Sequence, residues 1–270
     1  MPTHALPASA YVATDGAAYD VFLGRWTQRL SEPFLDFIDP PDGRLLDAGC
    51  GTGSLSCAMK RRWPDRAVSG VDIAPAYVAF AREQSGAAID YKVADLAALP
   101  HPNGTFAVVA AQLVLNFVAD PHHTLRELMR VTRPGGIVAA SVWDFRGGLI
   151  FQRMFWDTAA GIDPGAGRAR DRLFSGALAL PEGLLALFEG SGLQEVQRGS
   201  LTIRMDYADF DDYWGPLLGG QGPVGTYVTG LDLDTRGRIE SAVRAAFLSG
   251  SPDGLRSLTA TAWAVRGRVS

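Results

Sequence analysis

The chain has 270 residues, 47% of them apolar and 20% charged, which excludes a disordered or a collagen-like protein. With 25 basic against 29 acidic side chains the net charge is −4, so no nucleic-acid partner is expected from the totals. Cys50 and Cys57 are too few and too close for a disulfide framework and form no CxxC pair, which points to a reducing, cytoplasmic setting.

Residues 1–20 lack a basic stretch followed by an apolar one, so no secretory leader is expected. Residues 19–38 read as an amphipathic helix carrying Val21, Phe22, Trp26, Leu30, Phe34 and Phe37. On that reading residues 1–39 form an N-terminal helical cap segment, and residues 40–270 one domain. From 44 to 143 short apolar runs alternate with amphipathic segments, the pattern of a parallel sheet covered by helices. Strands are predicted at 45–48, 67–73, 89–93, 106–112 and 137–143, and helices at 54–63, 75–83 and 121–131. Arg133-Pro134-Gly135-Gly136 reads as a turn that stops the third helix. The most apolar stretch, 106–118, is too short to span a bilayer and carries Gln112 and Asn116, so no membrane partner is expected.

The fold class is therefore α/β, a doubly wound, Rossmann-like sheet. Beyond it a helix is predicted at 181–190 and strands at 195–205 and 258–265. Residues 147–179 and 208–250 break the alternation and read as lid insertions, the second with a helical pattern at 235–247. Phe151, Phe155 and Trp156, then Phe210, Tyr213 and Trp214, form aromatic stripes that favour core over pocket. Gly219-Gly220-Gln221-Gly222-Pro223 suits a hinge or a close approach of backbones.

The most informative stretch is Leu45-Leu46-Asp47-Ala48-Gly49-Cys50-Gly51-Thr52-Gly53. Alternate glycines after a buried strand let the backbone turn sharply and let a ligand approach without meeting a Cβ. Ser54 is placed to cap the helix that follows. The spacing is Gly-x-Gly-x-Gly, whereas a dinucleotide loop would read G-x-G-x-x-G. A pyrophosphate seeks backbone N–H donors at a helix N-terminus; Asp47 would repel it and suits a cationic ligand. Asp72 closes the second strand nineteen residues beyond Gly53, where a carboxylate accepts from both hydroxyls of a ribose. The alternative for Asp72 is a helix cap.

Together, Asp47-x-Gly49-x-Gly51-x-Gly53, Gly70-Val71-Asp72, Ala94-Asp95, residues 106–112 and Arg133-Pro134-Gly135-Gly136 resemble class I S-adenosylmethionine-dependent methyltransferases. The spacing is most similar to the small-molecule branch that includes the quinone-biosynthesis methyltransferases. The resemblance covers residues 40–145 and implies a seven-stranded sheet whose last strand is antiparallel. It implies S-adenosyl-L-methionine as cofactor and a small-molecule acceptor. It places Gly49, Cys50, Gly51 and Gly53 against that cofactor, Asp72 on its ribose, Ile73 as an apolar wall for the adenine, and Asp95 with Leu96 at the adenine amine. The alternative for Asp95 is a helix or turn cap. Gln112 and Leu113 fall at the carboxyl end of the fourth strand, where open α/β sheets bind ligands. Tyr19-Asp20-Val21-Phe22-Leu23-Gly24-Arg25-Trp26 resembles the segment these enzymes fold over the cofactor, with Tyr19 and Arg25 meeting its carboxylate. A solvated surface role is the alternative for Arg25.

Methyl transfer from a sulfonium is an in-line displacement that rests on alignment and exclusion of water. His4, His101, His122 and His123 sit in no recognisable base motif, so no catalytic side chain is assigned, and no metal site is expected. The fourth strand does not end in Asn/Asp-Pro-Pro-aromatic, and neither cysteine is placed to attack a pyrimidine. A small organic acceptor remains. The competing readings are a donor-binding module without turnover, acting as sensor or scaffold, and a dinucleotide-dependent oxidoreductase.

Overall fold

In the computed structural model residues 16–270 are described, and the expectations for the terminus around His4 lie outside them. The described part of the expected cap segment comprises α1 (Gly16–Tyr19), a π turn at Asp20–Gly24 and α2 (Arg25–Ile38). In α2 the apolar stripe of Trp26, Leu30, Phe34 and Ile38 is buried, as an amphipathic period demands. The same buried face carries two hydroxyls, Thr27 and Ser31.

The alternating half runs β1 (Leu45–Ala48), α3 (Ser54–Arg62), β2 (Val68–Asp72), α4 (Pro75–Ser85), β3 (Asp90–Val93), β4 (Phe106–Gln112), α5 (Pro121–Val131) and β5 (Thr132–Trp143). After it come α6 (Ile150–Ala160), α7 (Pro164–Phe174), α8 (Gly183–Glu189), β6 (Gln194–Tyr207), α9 (Phe210–Trp214), α10 (Gly222–Thr229), α11 (Leu233–Leu248) and β7 (Arg256–Arg268). The seven strands form one sheet in the order β3-β2-β1-β4-β5-β7-β6. The first five are parallel, and β7 lies antiparallel between β5 and β6. This is the seven-stranded arrangement the resemblance implied.

Successive residues of β1 and β4 face opposite sides of the sheet. Leu45 and Val108 join the core on one face, while Leu46 and Val109 join the core on the other. Both strands are buried along their whole length, as helices on both faces require. Because β1 pairs with β2 on one side and β4 on the other, the strand order reverses at β1. A crevice opens there beyond the carboxyl ends of the strands.

Arg133–Gly136 does not form the expected turn. The segment belongs to β5 and is taken up in a bulge: between the pairs Phe106↔Thr132 and Val108↔Ile137, β4 advances two residues and β5 five. Gly135, at φ +71°, supplies the left-handed step, and its N–H donates to the Val269 carbonyl. The chain therefore bulges forward where Pro-Gly-Gly suggested a reversal.

Both insertions are helical. Their aromatic stripes meet one another: Phe210 stacks on Trp214 at 5.9 Å, and Phe155 approaches Trp214 at 6.3 Å. All six side chains are buried, so the two segments form one aromatic layer rather than separate flaps. Gly222, at φ +66°, lets the chain pass close to the Phe22 ring; a Cβ there would lie 3.0 Å from it. The glycine-rich turn thus provides a close approach between the second insertion and the cap segment.

Candidate functional site

The loop after β1 follows the glycine logic residue by residue. Gly49, Gly51 and Gly53 all have positive φ, at +79°, +51° and +92°. A Cβ on Gly49 would meet Val114 at 2.5 Å, and one on Gly53 would meet the Tyr91 hydroxyl at 2.7 Å. A Cβ on Gly51 would meet nothing within 4 Å. Two glycines therefore serve packing beneath the loop, and Gly51 leaves open the face that lines the crevice.

Asp47 does not reach the crevice as a free charge. It is buried, and its Oδ2 accepts from the Ser56 backbone N–H at 2.8 Å and the Ser56 hydroxyl at 2.5 Å. Burial pushes its carboxyl up to about 7, against the pull of the two Ser56 bonds. Ser54 does not cap α3 either: Gly53 is the N-cap residue without a side-chain bond. Asp47, nine residues before Ser56, satisfies the Ser56 N–H, one of that helix's orphan donors, instead. The Ser54 hydroxyl pairs with that of Thr27 at 2.8 Å.

Asp72 closes β2 and serves both turns beside it. Its Oδ2 accepts from the Gly51 N–H at 2.8 Å, and its Oδ1 from the Ala74 N–H at 2.9 Å. Each carboxylate oxygen keeps a further lone pair. Burial raises its pKa despite these bonds. Next to it Ile73 is 67% exposed, a large apolar side chain facing solvent at a strand end. Asp95 follows β3, is exposed, and accepts from the Ala97 N–H at 2.9 Å through one oxygen, with Leu96 buried beside it.

At the end of β4, Gln112 is buried. Its Nε2 donates to the Thr27 carbonyl at 3.0 Å and the Ser31 hydroxyl at 3.2 Å. Its Oε1 is buried without a hydrogen-bond partner among the described residues. Leu113 follows at φ +63°, a left-handed conformation that a leucine holds only under constraint. Its N–H donates to the Ser141 carbonyl at 2.8 Å.

Tyr19, Thr27, Asp47, Gly49, Cys50, Gly51, Thr52, Ser54, Leu55 and Gln112 together enclose about 40 Å³. That is far below the roughly 300 Å³ or more of ordinary small-molecule sites. Tyr19 forms part of the roof and packs on Tyr77 at 5.1 Å; Tyr77 in turn donates to Gln221 Oε1 at 3.4 Å. Burial and the neighbouring Tyr77 and Asp72 raise the Tyr19 phenol well above its ordinary value, so it is a neutral hydroxyl.

Arg25 is not brought to this cleft. Its guanidinium pairs with Asp212 at 2.9 Å and lies 4.2 Å from the Trp26 ring. Ile73 and Asp95 lie outside the enclosed space, along the strand ends. Sequence reasoning passed over Thr27, Ser31 and Leu55, named Thr52 only as part of the glycine loop, and read Ser54 only as a helix cap. The signal for two of them was present: hydroxyls four apart on the buried stripe of an amphipathic helix need partners, and Gln112 supplies one. Among the described residues no cluster of His, Cys, Asp and Glu could hold a metal ion, and no helix is long and apolar enough to cross a membrane.

Residues 46–140 match a family model described as a methyltransferase domain. The chain is 39% identical over 103 residues to malonyl-[acyl-carrier protein] O-methyltransferase of Serratia marcescens, covering 37% of this chain and 38% of that one. It is 30% identical to 2-methyl-6-phytyl-1,4-hydroquinone methyltransferase of Synechocystis sp., covering 68% of this chain and 57% of the relative. The matches thus span between about two fifths and three fifths of these relatives. Among solved structures, phosphoethanolamine N-methyltransferase 2 of Haemonchus contortus in complex with S-adenosyl-L-methionine superposes with a TM-score of 0.58. Identity there is 14%, over 100% of this chain and 62% of the other.

Proposed function

We propose, from the match of residues 46–140 to a methyltransferase-domain model, that the chain transfers a methyl group from S-adenosylmethionine to a small organic acceptor. The carrying observation is the unsatisfied Gln112 Oε1 in a glycine-walled crevice beside Asp72. A buried amide oxygen without a partner costs about 1–3 kcal/mol, and a ligand ammonium group is a fitting donor for it.

The residues present suit the donor. Asp72 offers its remaining lone pairs to the ribose hydroxyls, and Gly51 lets that ligand lie against the loop. Ile73 is an apolar wall for the adenine, and Asp95 has an oxygen left to accept from the adenine amine. Leu96 and Leu113, buried just after β3 and β4, are the apolar side chains assigned to that ligand, and the neutral Tyr19 hydroxyl covers the amino-acid end. Asp47 acts through the loop: it fixes Ser56 and, when ionised, favours a cation nearby.

When bound, S-adenosylmethionine supplies a methyl group already activated on sulfur. What the chain adds is alignment and dryness. The walls leave about 40 Å³, so admitting a nucleoside requires them to open, and their return excludes water. The aromatic layer of the two insertions bounds the acceptor side. An in-line displacement driven by positioning needs no side-chain base unless the acceptor must lose a proton.

Thermal-shift and calorimetric titration with S-adenosylmethionine and S-adenosylhomocysteine, with NADH as control, tests the reading. At a hundredfold the dissociation constant a ligand adds about 2.7 kcal/mol to apparent stability. A rise with the sulfur nucleosides alone is expected. A rise with NADH alone overturns the proposal.

A further inference from the structure

Thr27 and Ser31 bring two hydroxyls to the buried face of α2, and both link that helix to the crevice. Ser31 Oγ donates to the Thr27 carbonyl at 2.9 Å, so it meets Gln112 Nε2, at 3.2 Å, as an acceptor. The Thr27 carbonyl accepts from the same Nε2 at 3.0 Å. Thr27 Oγ1 donates to the Gly24 carbonyl at 2.9 Å and therefore accepts from the Ser54 hydroxyl at 2.8 Å. Ser54 is the first residue of α3, directly after the glycine loop.

These bonds fix which way round the Gln112 amide lies. A backbone carbonyl and an amide oxygen both only accept, so reversing the amide would set Oε1 against the Thr27 carbonyl. Both Nε2 hydrogens are used on α2. Oε1 is left as the free end, buried without a partner among the described residues. Gln112, Thr27 and Ser54 all line the space of about 40 Å³ that Tyr19 and Gly51 also line. One planar group thus spans from the cap helix to the crevice.

We propose that Gln112 couples occupancy of the crevice to the cap helix: a ligand ammonium on Oε1 tightens the hold of Nε2 on α2, with Ser31 as a positioning residue for the amide. A cation at the oxygen polarises the amide and makes its N–H groups stronger donors, as in any chain of hydrogen bonds. Coupling is reciprocal. Whatever holds Nε2 therefore strengthens binding of a ligand that carries the ammonium and leaves one without it unaffected. The inference rests on the methyl-transfer reading for the ligand and adds that its amino-acid end, rather than its nucleoside, orders α2. No bond is made or broken in this step.

The probes are S-adenosylhomocysteine and methylthioadenosine, the same nucleoside thioether without the amino acid, each at saturation on the full chain. Hydrogen exchange of the α2 amides is followed by mass spectrometry. S-adenosylhomocysteine should slow exchange over residues 25–34 roughly fivefold or more, the lower end of ordinary coupling between sites. Methylthioadenosine should leave it at the unliganded rate. Ser31→Ala puts a good helix former into α2 and removes no group assigned to the ligand. It should weaken S-adenosylhomocysteine binding about fivefold and leave methylthioadenosine binding unchanged, whereas a merely structural role would weaken both alike. Equal protection by the two nucleosides, or S-adenosylhomocysteine binding without slowed exchange, overturns the inference alone. So does a Ser31→Ala protein in which both affinities fall together or neither falls. A parent protein that shows no thermal shift with either nucleoside overturns the methyl-transfer reading and the inference with it.

Discussion

Gly51 donates its backbone N–H to Asp72 Oδ2 at 2.8 Å, tying the open step of the glycine loop to the end of the neighbouring strand. One carboxylate thus shapes the loop and, on the proposed reading, takes the donor's ribose. Asp72→Ala should weaken S-adenosylmethionine binding roughly ten- to hundredfold, since hydrogen bonds to a charged group contribute about 1.5–3 kcal/mol. Calorimetry checks the affinity and circular dichroism the fold. Unchanged affinity in a folded variant would count against the ribose assignment.

Gly49 and Gly51 share a positive φ but differ in what surrounds them, and that difference separates stability from binding. Gly49→Ala drives a Cβ to 2.5 Å from Val114 and should destabilise the fold by several kcal/mol, through both overpacking and backbone strain. Gly51→Ala meets nothing within 4 Å and should cost about 1 kcal/mol for the left-handed conformation alone. Its methyl group enters the ligand's space, so donor affinity should fall by tenfold or more. Urea unfolding and calorimetry on both variants distinguish the two effects, and a Gly51→Ala protein with parental affinity would place the donor elsewhere.

Arg25 and Asp212 lie 187 residues apart and join the cap segment to the second insertion. The pair is partly exposed, at 38% and 29%, so solvent screening limits its coupling to about 0.5–1 kcal/mol. Arg25→Ala should cost more than Asp212→Ala, because it also removes the guanidinium from the Trp26 face. A double-mutant cycle in urea measures the coupling. A coupling well above 1 kcal/mol would show a less screened pair than the exposure implies.

The alternating half was legible because its signals are local. Residues 106–112 are a run of small and β-branched side chains, and the strand Phe106–Gln112 has those bounds. Pro121 at a first turn and the apolar period to Val131 likewise bound α5. Local chemistry failed where a distant partner decided. Arg133–Gly136 has the composition of a turn, yet β4 and Val269 hold it in a bulged strand. Ser54 has the chemistry of a cap, but Asp47 reached the helix first. Arg25, which the resemblance sets at the cofactor's carboxylate, is a separate case: here it pairs with Asp212, far off in sequence. The helices of the insertions could be read in part, but their joining through Phe155 and Trp214 could not.

Asp47 makes stability depend on pH in a direction opposite to that of a salt-bridged carboxylate. Its folded pKa is raised from 3.8 to about 7 by burial, so the folded state holds the proton more tightly than the unfolded chain. Between about pH 4 and pH 7 the folded state carries more protons, and stability from this group falls as pH rises, levelling off above pH 7. Asp47→Asn keeps an oxygen for the Ser56 N–H and hydroxyl but cannot ionise. Its stability relative to the parent should therefore rise by about 2–3 kcal/mol between pH 5 and pH 8. The comparison cancels every other titrating group that the substitution leaves alone. Urea unfolding of both proteins at half-unit steps measures it. Parallel profiles would mean that Asp47 is charged throughout, with the two Ser56 bonds outweighing its burial.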